Sequence, residues 1–293
     1  MSDNPVLDGS IELLGSYWTI AGAAIPHTGP EYSPFDFRDR VETLARVGFK
    51  GMGIWHADLE HIRKTYSLAE VKRILDDNGI RHLELEFLGD WFVDGEERAA
   101  SDRLRATLLE ASAALGAHHI KVGDFFGKTT LMPRLIDEFG SLCEEAAGFG
   151  ATIGFELLPG GMIETLEESL EMVEGAGADN GGIILDLWHV VKLQVPYADA
   201  AALHPRWLVH VEINDGFLER PTGMDFVTEV TQYRNFCGRG EFDVKGFVKA
   251  IWDAGFRGPV GIEVLRKEIR DWPLDLIVNT AWVTTAAQFE GLQ

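Results

Sequence analysis

Residues 146–156 read AAGFGATIGFE: the end of an amphipathic run, a glycine, then a short apolar stretch closing on an acid. The phrase recurs as ARVGFKGMGI at 45–54, LDDNGIRHLEL at 75–85, SAALGAHHIKV at 112–122 and WDAGFRGPVGIE at 252–263. A glycine just past a helix takes the left-handed conformation that satisfies the last carbonyls. An apolar run of this length straight after it marks a strand buried on both faces. Gly48, Gly79, Gly116 and Gly150 are the expected terminators, and Ser67 and Thr165 the expected helix N-caps.

Carried along the chain, the pattern yields eight strands, at 11–17, 49–55, 81–87, 118–123, 152–157, 182–187, 208–213 and 259–264. Helical spacing falls between and after them, at 35–47, 68–78, 97–115, 131–148, 165–174, 198–203, 244–254 and 274–289. One strand follows the last by about 36 residues, the size of a βα unit. Eight strands alternating with eight helices predict an α/β fold, a (β/α)8 barrel, as a single domain over residues 1–293. A doubly wound sheet would carry a glycine-rich phosphate loop after an early strand. The first strand here runs instead into TIAGAA at 19–24. The longest loop, 215–243, is long enough to be expected to carry function.

Charge narrows the partners. The 293 residues carry 47 acids against 26 bases, a net −21, which weighs against nucleic acid and against anionic membrane surfaces. Hydrophobic residues make up 46% of the chain, too many for disorder. No apolar run approaches the ~18–20 residues of a bilayer span. The opening MSDNPVLDGS has neither the cationic nor the apolar part of a signal peptide, and two cysteines, Cys143 and Cys237, cannot build a disulfide framework. A cytoplasmic protein is expected, with a small-molecule partner and room for a homo-oligomer.

A barrel of this kind works at the C-terminal ends of its strands. The fifth strand delivers Glu156 there, the sixth Asp186 and His189, the seventh His210, Glu212 and Asp215, and the eighth Glu263. His210 and Glu212 are two apart and share a face, while Val209, Val211 and Ile213 take the other. Any one of these acids alone reads equally well as a strand-end residue bonded to a loop. Four consecutive strands converging acids on one end do not, because convergent carboxylates cannot all ionise without a counter-charge. A divalent cation supplies it, and oxygen-rich ligands with one imidazole suit Mn²⁺, Mg²⁺ or Co²⁺.

With FELLP (155–159), the Asp-x-x-His of DLWH (186–189), HVEIND (210–215), GRGEFD (238–243) and GIEVL (261–265) in this order, the chain resembles the xylose-isomerase-like TIM-barrel superfamily of sugar (phosphate) isomerases and epimerases. That group includes ketose 3-epimerases, inosose dehydratases and apurinic-site endonucleases. The resemblance implies metal ligands at Glu156, Asp186, a seventh-strand position and Glu263. The family's His-x-His-x-x-Asp is here His210-x-Glu212-x-x-Asp215, so the fourth ligand is Glu212, or His210 shifts into the role. The family's arginine after this strand is absent from its usual place; Arg220 is the nearest.

The resemblance implies a divalent-metal sugar or cyclitol isomerase or epimerase: Glu156 and Glu263 as bases beside a carbonyl, through a metal-stabilised enediolate, with His189 near the metal. A lyase on the same fold, an inosose dehydratase or a 3-keto-glycoside or C-glycoside β-eliminase, shares the first step. Less favoured are an endonuclease, which needs further histidines, and a silent binding subunit. Trp18, His56, Glu86, Lys121, Trp188 and Arg220 are the expected substrate-binding residues. Lys121, a lysine inside a strand, is expected to pair with Glu86 or Glu156 or to meet substrate oxygens.

Overall fold

A computed structural model describes residues 4–125 and 127–292, so the single domain expected over 1–293 reaches five residues outside the description. Among the described residues eight parallel strands pair in sequence order and close, the eighth beside the first. They are β1 (Leu13–Gly15), β2 (Gly51–Trp55), β3 (His82–Leu88), β4 (His119–Val122), β5 (Ile153–Glu156), β6 (Gly181–Asp186), β7 (Leu208–Ile213) and β8 (Val260–Ile262). The outer layer is α1 (Phe37–Val47), α2 (Leu68–Asp77), α3 (Gly95–Leu115), α4 (Met132–Ala147), α5 (Leu166–Ala176), α6 (Tyr197–Ala202), α7 (Val244–Asp253) and α8 (Leu274–Ala286). The expected (β/α)8 barrel is the fold, and every expected strand and helix is present within a few residues.

Local chemistry sets the boundaries. Ser67 and Glu70 form a reciprocal capping box at the start of α2, and the Thr165 hydroxyl accepts from the Glu168 N–H at 3.1 Å to open α5. Gly116 ends α3 at φ 69°, where a Cβ would be strained. Strand parity then sorts the side chains. Met52, Ile54, Leu83, Leu85, Ile120, Val122, Ile153, Phe155, Val211 and Ile213 are buried in the apolar core. Among the alternate positions, which turn inward, the polar Glu84, Glu86, His119, Lys121, Glu156, Asp186, His210, Glu212 and Glu263 are all buried.

The long loop after β7 is partly ordered by a helix, Phe226–Gln232. Beyond it Asn235 and Asp215 exchange backbone hydrogen bonds of 2.7 and 2.9 Å, and the Arg234 N–H donates to the Leu265 carbonyl at 3.1 Å. These bonds hold residues 233–235 across the mouths of β7 and β8. Asp215 is spent on this loop: its Oδ1 accepts from the Gly216 and Phe242 N–H groups at 2.8 and 3.0 Å. No helix of the described residues is long and apolar enough to cross a membrane.

Candidate active site

Glu156, Asp186 and Glu212 close the top layer of β5, β6 and β7, and Glu263 follows β8 directly. One oxygen from each lies within 4.8 Å of the others. The seventh-strand residue in this group is Glu212. His210, one pleat earlier, turns instead to Glu84 and His119, so it does not join the four carboxylates.

Two fixed cations enter the same space. Lys121 on β4 is 1% exposed, and its Nζ stands 2.7 Å from Glu212 Oε2, 3.4 Å from Glu263 Oε1, 3.5 Å from Glu86, 3.7 Å from Glu84 and 3.9 Å from Glu156. It reaches both partners expected of it, but its nearest contact is Glu212. Burial works against its charge, yet Glu156, Glu212, Glu263 and Glu84 together hold its ammonium well above the ordinary lysine range. Arg234, which sequence reasoning missed, is 3% exposed and donates from Nη1 to Asp186 Oδ2 at 3.1 Å and Glu263 Oε2 at 2.7 Å.

Asn214 and Ser16 also escaped the sequence reading. The Asn214 amide donates to Asp186 Oδ2 at 2.8 Å, and the Ser16 hydroxyl donates to Glu212 Oε1. Asp186 Oδ1 accepts from the His189 N–H at 3.2 Å, which seats the turn that carries the imidazole. His189 Nε2 then stands 3.5 Å from Glu156 Oε1 and 3.4 Å from Arg234 Nη2.

The carboxylates do not share one protonation state. Burial pushes Glu84, Glu86 and Glu212 well above the ordinary carboxylate range, with neighbouring acids adding to it and Lys121 opposing it. For Glu156 burial acts the same way, but Lys121, His189 and Arg234 outweigh it and hold the carboxyl down at about 2. Glu156 is therefore ionised at neutral pH.

Glu86, Glu156, His189, Arg234 and Glu263 form the floor of a cavity of about 200 Å³. Its wall is largely apolar, with Trp18, Trp55, Phe87, Phe125, Leu158 and Phe226 prominent. Of the residues expected to bind substrate, Trp18 and Glu86 line this cavity. Lys121 lies beneath the floor. Trp188 is fully buried under Arg234, whose guanidinium carbon sits 5.1 Å from the indole centroid. His56 turns into an adjoining cleft, where its Nδ1 accepts from the Phe87 N–H at 3.4 Å. Arg220 is held by Glu229 at 3.1 Å and does not line the cavity. Arg234, which follows the helix inside the long loop, lines the cavity.

The four oxygens fit a divalent cation. They lie within 4.8 Å of one another, and Glu156 Oε1 is buried with no hydrogen-bond partner. Lys121 and Arg234 are the two fixed cations beside these carboxyls.

The model of the xylose isomerase-like TIM-barrel family matches residues 41–284. The 3-dehydroshikimate dehydratase of Pseudomonas aeruginosa is 30% identical over 242 residues, which cover 80% of this chain and 37% of that protein. The chain thus spans well under half the length of this relative. The inosose isomerase of Halalkalibacterium halodurans is 23% identical over 234 residues, 76% of this chain and 80% of that one. A crystal structure described as the IolI protein with a zinc atom superposes with a TM-score of 0.82 at 19% identity, covering 95% of this chain and 98% of that one, a likeness of fold.

Proposed function

We propose that this chain, which belongs to the xylose isomerase-like TIM-barrel family, is a metal-dependent lyase. It removes a proton beside a substrate carbonyl and expels a β-substituent from a keto-cyclitol, a 3-keto-glycoside or a ring of the 3-dehydroshikimate type. One observation carries this reading: the cavity is divided, with ionic groups on its floor and aromatic and aliphatic groups over most of its wall. A free sugar presents hydroxyls all round and needs partners on every side. A substrate whose carbonyl and hydroxyl meet the floor, and whose flat or apolar part meets the rings, fits better. The 30% identity to a dehydratase points the same way. Isomerisation or epimerisation shares the first step, and the inosose isomerase relative keeps it as the alternative.

Glu156, Asp186, Glu212 and Glu263 would hold the cation. When bound there, a divalent ion supplies Lewis acidity to a carbonyl and its neighbouring hydroxyl. The rest falls to the chain's own groups. Glu156 is ionised and faces the cavity, so it takes the proton from carbon. His189, 3.5 Å from it through Nε2, passes that proton to the departing oxygen, so that a neutral molecule leaves and no proton is consumed. Arg234 fixes Asp186 and Glu263 through Nη1 and presents its remaining N–H groups to the substrate. The aromatic wall excludes water from the carbanionic stage.

Proton NMR in D₂O with Mg²⁺ tests the reading on a panel of 3-dehydroshikimate, inososes and 3-keto-glycosides. New vinylic or aromatic protons with loss of the β-substituent are expected. Deuterium entering beside the carbonyl without elimination would return the reaction to the isomerases and epimerases. No exchange at all would refute the site.

A further inference from the structure

One pleat below the carboxylate cluster the barrel carries a second polar layer. Glu84, His119 and His210 each stand two residues before a member of the upper layer (Glu86, Lys121 and Glu212), and all three are fully buried. His119 Nε2 lies 2.8 Å from Glu84 Oε2, and His210 Nε2 lies 3.7 Å from the same oxygen. The two imidazole centroids are 4.7 Å apart. One ligand atom from each of the three residues lies within 4.8 Å of the others.

The layer is unsatisfied as it stands. His210 Nε2, His119 Nδ1 and Glu84 Oε1 are buried with no hydrogen-bond partner. Native interiors rarely leave several such atoms in one place unless something else meets them. Nor is the space an accident of loose packing. A Cβ on Gly261 would come within 2.6 Å of His210 Nε2 and 2.9 Å of the Ser16 hydroxyl, so glycine there leaves the imidazole its position.

Charge points the same way. Glu84, Glu86, Glu156, Asp186, Glu212 and Glu263 bring six carboxyls into the barrel against the two cations Lys121 and Arg234. These carboxyls can all ionise only with positive charge beyond Lys121 and Arg234.

We propose that Glu84, His119 and His210 form a second cation site, distinct from the carboxylate cluster. Two imidazoles and one carboxylate are a donor set that takes Zn²⁺, whereas the oxygen donors above suit Mg²⁺ or Mn²⁺. The lower ion ties β3, β4 and β7 together across the barrel and meets the charge of Glu84 from below, while Lys121 approaches Glu84 Oε1 from above. The site stands independently of the lyase reading.

Metal analysis of the full chain, loaded with Zn²⁺ and dialysed, tests it alongside zinc X-ray absorption. The wild type is expected to hold two equivalents. The pair Glu156→Gln with Glu263→Gln removes the upper site and is expected to keep one equivalent, with two imidazoles around the zinc. The pair His119→Asn with His210→Asn is expected to lose that equivalent and keep the upper one. A Glu156→Gln/Glu263→Gln protein that holds no zinc, or whose zinc shows fewer than two imidazoles, would overturn the proposal; protonated carboxyls would then balance the charge. Because His189 is the one imidazole beside the upper cluster, a count of two cannot come from there. If the histidine pair does not fold, the upper-site pair, which leaves the lower residues intact, decides alone. A wild type holding one equivalent that survives Glu156→Gln/Glu263→Gln would keep the lower site and remove the upper reading.

Discussion

Replacing Lys121 with methionine keeps the length of the side chain and deletes its charge. The ammonium lies between 2.7 and 3.9 Å from five carboxylates, all of them buried. At an effective dielectric of about 20, the contact with an ionised Glu212 alone is worth about 6 kcal/mol of attraction. Desolvating each ion takes back several kcal/mol, so the net effect of removing one partner is about 3–5 kcal/mol of lost stability. For a chain of this size that corresponds to a fall of about 6–10 °C in melting temperature. The pH dependence has a sign. Glu84, Glu86 and Glu212 bind protons more tightly folded than unfolded, so their protonation favours the folded state fully below about 4.5, and this is lost as pH rises. Lys121 is held above its ordinary 10.5, so its own contribution is intact through neutral pH. The gap between variant and wild type should therefore widen as pH rises from 5 to 8. Differential scanning calorimetry of metal-free protein at both pH values measures it. Saturating Mg²⁺ or Mn²⁺ should then raise the variant's melting temperature more than the wild type's, because the ion no longer competes with the ammonium. A metal-free Lys121→Met protein within about 1 kcal/mol of wild type at pH 8 would refute the argument, since the carboxylates would already be neutral.

Glu156→Gln keeps the shape of the floor but removes the base assigned to the proton on carbon; deuterium entry beside the substrate carbonyl should slow at least about 100-fold, as NMR in D₂O would show. Arg234→Ala removes the bonds to Asp186 and Glu263 and any contact with substrate; kcat/KM should fall at least about tenfold, and steady-state kinetics giving an unchanged value would exclude Arg234 from the site. Cys143 and Cys237 are buried, and burial pushes both thiols up to about 12, so a thiol reagent should label neither at pH 8 until denaturant is added. Labelling of the native protein within seconds would contradict that packing.

The barrel was legible because its markers are local. Each helix-ending glycine and each apolar run announces itself within about a dozen residues, and the helix caps at Ser67 and Thr165 sit where their side chains can reach the next turn. The edges were less exact. Apolar runs at 11–17 and 259–264 reduce to Leu13–Gly15 and Val260–Ile262, since pairing in a tilted barrel stops where neighbours splay, not where hydrophobicity ends. The carboxylates were legible for the same local reason: each lies at or next to the end of its strand. Arg234 was not. It belongs to a loop that leaves the barrel, forms the helix Phe226–Gln232 and returns, and tertiary bonds such as Asn235–Asp215 and Arg234–Leu265 place it over Asp186. Arg220 is nearer in sequence but is drawn off by Glu229.

The signal that could have found the lower layer is the parity rule applied one step further. His210 and Glu212 share a face, and so do Glu84 with Glu86 and His119 with Lys121. Three strands each carrying two inward polar residues cannot form one layer; they must form two. A barrel interior normally fills such layers with branched aliphatic side chains. Here Gly53 and Gly261 stand beside the polar ones, and at both a Cβ would collide with a site group: Glu86 Oε1 at 2.8 Å for Gly53, His210 Nε2 at 2.6 Å for Gly261. Small residues next to charged ones trade apolar packing for room around polar atoms. That exchange destabilises the barrel unless cations repay the desolvation of the acids. Lys121 and Arg234 are the two cations written into the chain; six carboxyls around them require more positive charge or protons, and which of these the protein uses is decided by the two layers together, not by the upper one alone.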